Sequence, residues 1–111
     1  MGFKVSTSER QFTARLTARV PVDGGHKDER FKARFRVLPT DALDTYDLAT
    51  SEGTTDFLRA VIVELFDLVD DNGEPITYND EVRDYVINDP VARLALIQGY
   101  FGNTSRARKG N

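Results

Sequence analysis

Residues 57–78 read FLRAVIVELFDLVDDNGEPITY, and the fold turns on how their first half is placed. Leu58, Val61, Ile62, Leu65, Leu68 and Val69 recur at steps of three and four, the spacing that stacks side chains on one helix face. Phe57, Val63 and Phe66 add a second apolar flank, leaving a polar strip of Arg59, Glu64 and Asp67. A helix apolar over most of its circumference has to be covered from several sides. The pattern therefore predicts a central helix near 55–70 on which the rest of the chain packs. Gly53 would separate it from what precedes, Thr54 or Thr55 would cap it, and Asp56 would sit at the positive end of its dipole. Asp70-Asp71-Asn72-Gly73 would stop it, since Asn and Gly tolerate the left-handed conformation of a helix end, and Pro75 would prevent its resumption.

Upstream, the period changes to two. Phe12, Ala14, Leu16, Ala18 and Val20 alternate with Thr13, Arg15, Thr17 and Arg19, which predicts a strand with one buried face that Pro21 ends. Val22 to Glu29 contains the turn signal Asp23-Gly24-Gly25, and Phe31, Ala33, Phe35 and Val37 then alternate with Lys32, Arg34 and Arg36. An antiparallel hairpin follows, with arginines and a lysine on its outer face. Residues 1–10 read as loose, although Phe3 and Val5 alternate and could add a third short strand. Thr40 or Asp41 opens a short helix with Leu43 and Tyr46 facing inward, and Asn79 caps another that uses Val82, Tyr85 and Val86. Asn88-Asp89-Pro90 starts the last helix, with Val91, Leu94, Ala95, Gln98 and Phe101 on the expected inner face and Leu96, Ile97 and Tyr100 left for another surface. Gly102-Asn103 would end it. The fold class is α+β: a hairpin followed by about four helices in one domain, 1–102, with 103–111 a disordered basic tail.

Little in the chain points to chemistry. With 111 residues, 40% hydrophobic and 30% charged, it has the make-up of an ordinary globular domain. It has no cysteine, which excludes disulfides and thiolate chemistry, and its single histidine, His26, lies in a charged turn, so transition-metal ligand sets cannot form. No nucleophile-elbow, phosphate-loop or dinucleotide-binding motif is present. Asp70, Asn72 and Gly73 fit three positions of a calcium loop, but Leu68 stands at its first ligand position and Asn79 where a bidentate Glu is required, so the segment reads as a turn. The acidic pairs Asp70/Asp71 and Asp80/Glu81 sit beside turns and helix starts, where carboxylates serve as caps. The reading is non-enzymatic, with no metal or cofactor. No run of ~18 apolar residues and no signal-peptide core is found, so no membrane association is expected.

The net charge of −3 hides a division. Residues 1–38 carry nine Lys/Arg against four Asp/Glu, residues 39–102 three against fourteen, and the last nine residues add three basic side chains. A basic front and an acidic middle can drive contacts between copies or steer a charged partner. The arginine-rich hairpin face and the RARK tail could contact phosphates, but Thr rather than stacking aromatics lies between the arginines, so nucleic acid is an unlikely partner.

FKARFRVLPTDAL, the long apolar run into LVDDNGEPITY, a short helix and NDPVARLALIQGYF with a basic-polar end follow one another over residues 30–105 in an order that resembles the tail assembly chaperones of long-tailed bacteriophages. The resemblance rests on the strand running into Leu38-Pro39 and a short acidic helix, on Val69, Asp70, Gly73 and Pro75 of the turn, and on the helix start from Pro90 to Leu96. It implies a non-catalytic protein that binds and solubilises the tape-measure protein in the host cytoplasm, self-associates, and is absent from the mature virion. It also implies contact with the tail tube protein through a frameshifted extension. The readings beside it are a small head–tail or tail-tube component and a basic-faced nucleic-acid-binding adaptor. The residues placed on the expected partner or self-association surface are Leu96, Ile97, Tyr100 and Phe101 of the last helix, and Arg15, Arg19, Arg34 and Arg36 of the hairpin.

Overall fold

The computed structural model describes residues 2–105. Strands β1 (Gln11–Val22) and β2 (Gly25–Arg36) form a long antiparallel hairpin, paired from Gln11↔Arg36 to Val22↔Gly25. Only Asp23 and Gly24 form the loop, and Gly24 takes a φ of 82°, which a glycine adopts without steric cost. The hairpin is longer than its alternation suggested: Pro21 sits within β1 opposite His26, and residues 25–30, polar on both faces, are held in β2 by pairing with β1. Helices α1 (Thr40–Leu43), α2 (Ser51–Val61), α3 (Asp80–Asn88) and α4 (Pro90–Thr104) and strand β3 (Ile62–Phe66) complete an α+β fold with sheet order β1-β2-β3.

The central segment corrects the expectation drawn from its periodicity. The helix is α2, it begins after Thr50 rather than at Thr54, and it stops at Val61. Thr50 is the cap, its side chain accepting a hydrogen bond from the Gly53 N–H, so Gly53 lies inside the first turn. Thr54 is instead buried, donating to the Leu48 carbonyl. At Ile62 the backbone becomes extended, and Ile62–Phe66 pairs antiparallel with β2 through Lys32↔Phe66 and Arg34↔Glu64. Val61, Ile62 and Val63 are β-branched and suit a pleated surface, and the free edge of β2 supplies the hydrogen bonds that continuation of the helix would have supplied. A register shift between Arg34 and Phe35 disturbs the alternation of β3, which is why no period of two was visible there. The third strand is therefore β3, and Phe3 and Val5 lie outside any strand.

The core lies between the inner face of the sheet and the helices. Tyr100 is at its centre, with ring centroids 5.5 Å from Phe35, 5.1 Å from Phe57 and 5.0 Å from Phe101, and its hydroxyl accepts the Leu38 N–H at 3.1 Å. Helix α4 lies close against β1 because its sheet-facing side is small: a Cβ on Gly99 would collide with the Leu16 side chain. The anticipated inner face of α4 is accordingly corrected in part: Val91, Ala95 and Phe101 do face the core, but Leu94 and Gln98 do not. Ala95, Leu96 and Tyr100 are buried, whereas Leu94 and Gln98 face solvent. The starts of the last two helices follow the sequence: Asn79 accepts from the Val82 N–H, and Asp89, ahead of Pro90, accepts from Val91 and Ala92. Helix α4 runs past Gly102-Asn103 to Thr104; residues 106–111, most of the expected disordered tail, lie outside the described residues.

Candidate interaction site

The residues anticipated on a partner surface do not come together as one. Leu96 and Tyr100 are core residues, and Ile97 and Phe101 are half-buried against the same core, with Phe101 stacked on Phe57 at 5.5 Å. On the hairpin, Arg34 donates to Gln11 and Thr13. Arg36 pairs with Glu9 at 3.3 Å and donates to the Ala60 carbonyl at 2.7 Å. That last bond satisfies a carbonyl left open where α2 stops, and it places a cation at the negative end of the helix. Arg34 and Arg36 thus hold the sheet edge and the helix–strand junction together. Arg15 and Arg19 remain exposed, Arg19 only 3.8 Å from Asp28.

The open apolar surface lies on the other side of the sheet. Beneath the distal half of the hairpin, a trough of about 630 Å³ runs between β2, the turn after β3 and the α3–α4 corner. Ala18 and Phe31 form its inner wall, Val86 and Ala92 contribute from the helices, and Val69 and Tyr85 stand at its mouth. The last two are 57% and 76% exposed, which marks them as unpartnered apolar side chains rather than core. The border carries Glu29, Asp67, Asp70, Asp71 and Asp89 against Lys27 and Arg30. Asp70 and Asp89 are fixed by local structure: the Asp70 carboxylate accepts the Asn72 and Glu74 N–H groups, and Asp89 caps α4. The border therefore presents acidic groups at set positions.

Two features make the trough open. β3 pairs with β2 only from Lys32 to Phe35, so among the described residues no strand covers the outer edge of β2 from Gly25 to Phe31. In addition, Asp67 adopts a φ of 65° and turns the chain away from that edge, its carboxylate 3.5 Å from Lys32. Sequence reasoning missed this site because its parts come from four segments; the available signal was Val69 beside the turn and Tyr85 on a short polar helix.

Below the trough, Asp84 accepts hydrogen bonds from Arg83 and Arg59, both at 3.0 Å, tying α3 to α2. The Arg83 bond, partly offset by burial and joined by that of Arg59, holds the Asp84 carboxyl below its ordinary value. Burial opposes charge on Arg83, but the hydrogen bond and charge of Asp84 together with Asp80 keep it above its usual value. Burial pushes the Tyr78 phenol up. The Asp84 and Arg83 shifts belong to an ion-pair network between helices. Among the described residues no helix is long and apolar enough to cross a membrane. In comparisons with family models, curated proteins and solved structures, the chain matches none.

Proposed function

We propose that the chain is a non-catalytic assembly chaperone that holds an extended helical client. The order of its sequence patterns resembles that of the tail assembly chaperones of long-tailed phages, and the client is then the tape-measure protein, held in the host cytoplasm until the tail tube forms. The observation that supports this reading is the trough, apolar within, acidic at its border and open to solvent along one side. An amphipathic helix presents a matching apolar stripe, and basic residues flanking that stripe would face the border. A surface of this kind grips by burial and leaves the client chemically unchanged, and it lets go when a competing structure offers more burial.

Co-expression with a tape-measure protein tests the proposal. The fraction of client in the soluble lysate should rise in the presence of the wild-type chain. It should fall back to the client-alone level with Val69→Lys/Tyr85→Lys, whose added charges sit at exposed positions and leave the core intact. A client equally soluble without the chaperone, or with the double variant, overturns the assignment.

A further inference from the structure

The trough has a second candidate occupant, and it belongs to this chain. Residues 2–6 read GFKVS, with Phe3 and Val5 on one side of an extended segment and Lys4 on the other. Phe3 is 78% exposed and Val5 89%, so neither is packed on its own molecule. Phe3 meets the Arg10 guanidinium, 4.9 Å from the ring centroid. We propose that in the free protein this arm docks in the trough of a second copy, as a short strand beside the uncovered edge of β2.

Alternation, charge and reach support the contact. A strand added there continues the line of β3, so every second side chain points to the face of Phe31, into the apolar space, and the others point to the face of Asp28. Phe3 and Val5 take the first set and Lys4 the second. On that second face Lys4 would lie beside Asp28 and Asp67 as well as Arg30 and Lys32, whereas the edge of β1 sets only Arg15 and Arg19 there, which would repel it. Edge pairing through main-chain groups with alternate side chains in pockets is an established mode of peptide capture. The arm cannot fill the trough of its own molecule. It is pinned at the opposite end of the sheet, where the Arg10 carbonyl accepts the Val37 N–H at 2.9 Å and Glu9 pairs with Arg36. Six residues beyond Glu9 span at most roughly 20 Å. From Arg10 to Ala18 along β1, where the trough begins, the distance is roughly 27 Å. The contact is therefore between copies, and it joins two different surfaces. It does not depend on the identity of the client.

Native mass spectrometry and sedimentation of the full chain test it. The wild type should assemble into multiples of 12.5 kDa. Phe3→Ser/Val5→Ser should remain a monomer, as should Val69→Lys/Tyr85→Lys, each weakening association by roughly a hundredfold or more. Mixing the two variants should give a 1:1 heterodimer and nothing larger, because one retains its trough and the other its arm. A monomeric wild type, a single variant that assembles as the wild type does, or a mixture without heterodimer overturns the proposal. The arm variant should still solubilise the client, so loss of self-association and loss of chaperone activity are read separately.

Discussion

Asp84 shows at the residue scale how this small domain uses charge. Its carboxylate bridges Arg59 on α2 and Arg83 on α3. The side chain is 39% exposed, so solvent screens the pairs and their worth is about 0.5–1 kcal/mol. Because the folded carboxyl titrates below the ordinary Asp value of about 3.9, its contribution is complete above that pH and is lost as the pH falls through the folded value. Asp84→Asn keeps the shape and removes the charge. Urea unfolding should place the variant about 0.5–1 kcal/mol below the wild type at neutral pH, with the difference closing as the pH falls below the ordinary Asp range and through the folded value. A difference that persists unchanged in acid would assign the role of Asp84 to packing instead.

At the scale of elements, the helices are joined by one side chain that the sequence did not single out. The Arg93 guanidinium on α4 donates to Thr55 Oγ1 at 2.8 Å, to the Ile87 carbonyl at 3.2 Å and to the Ser51 carbonyl, so a single fork links α4, α3 and α2. A lysine ammonium cannot span these acceptors. Arg93→Lys should cost about 1–3 kcal/mol and lower Tm by several degrees, while Arg15→Lys on the open sheet face should change stability by less than about 0.5 kcal/mol. The elements that were legible in advance are those whose cause is local. Strict alternation marked β1 and the second half of β2, and Asn79 and Asp89-Pro90 marked the starts of α3 and α4. The helix–strand switch at Ile62 was not legible, because Val61 to Leu65 satisfies a helical period and only the edge of β2, distant in sequence, decides against it. The inner face of α4 was read correctly at Val91, Ala95 and Phe101 and missed at Leu94 and Gln98 for a related reason. Leu94 outranks Gly99 in hydrophobicity, yet the helix turns its smallest residues to β1, where close approach buries Leu96 and Tyr100.

For the whole molecule, the charge division does not by itself explain the contact between copies. The pattern of a basic front and an acidic middle suggested such contacts, but the docked register sets Lys4 on the face where Asp28 and Asp67 stand beside Arg30 and Lys32. The site itself was illegible in advance, since it exists only where four segments distant in sequence come together. Its mixed character sets how assembly should respond to salt. Exposed charges attract over roughly 10 Å at 0.1 M ionic strength and over much less at 0.5 M, whereas burial of Phe3 and Val5 is not screened. Between those concentrations of sodium chloride, the association constant measured by sedimentation should change by less than about tenfold, because the groups facing Lys4 balance in sign, and the assembly should persist. Assembly that dissolves completely at 0.5 M would mean that charge alone holds the copies together, with the apolar arm outside the contact.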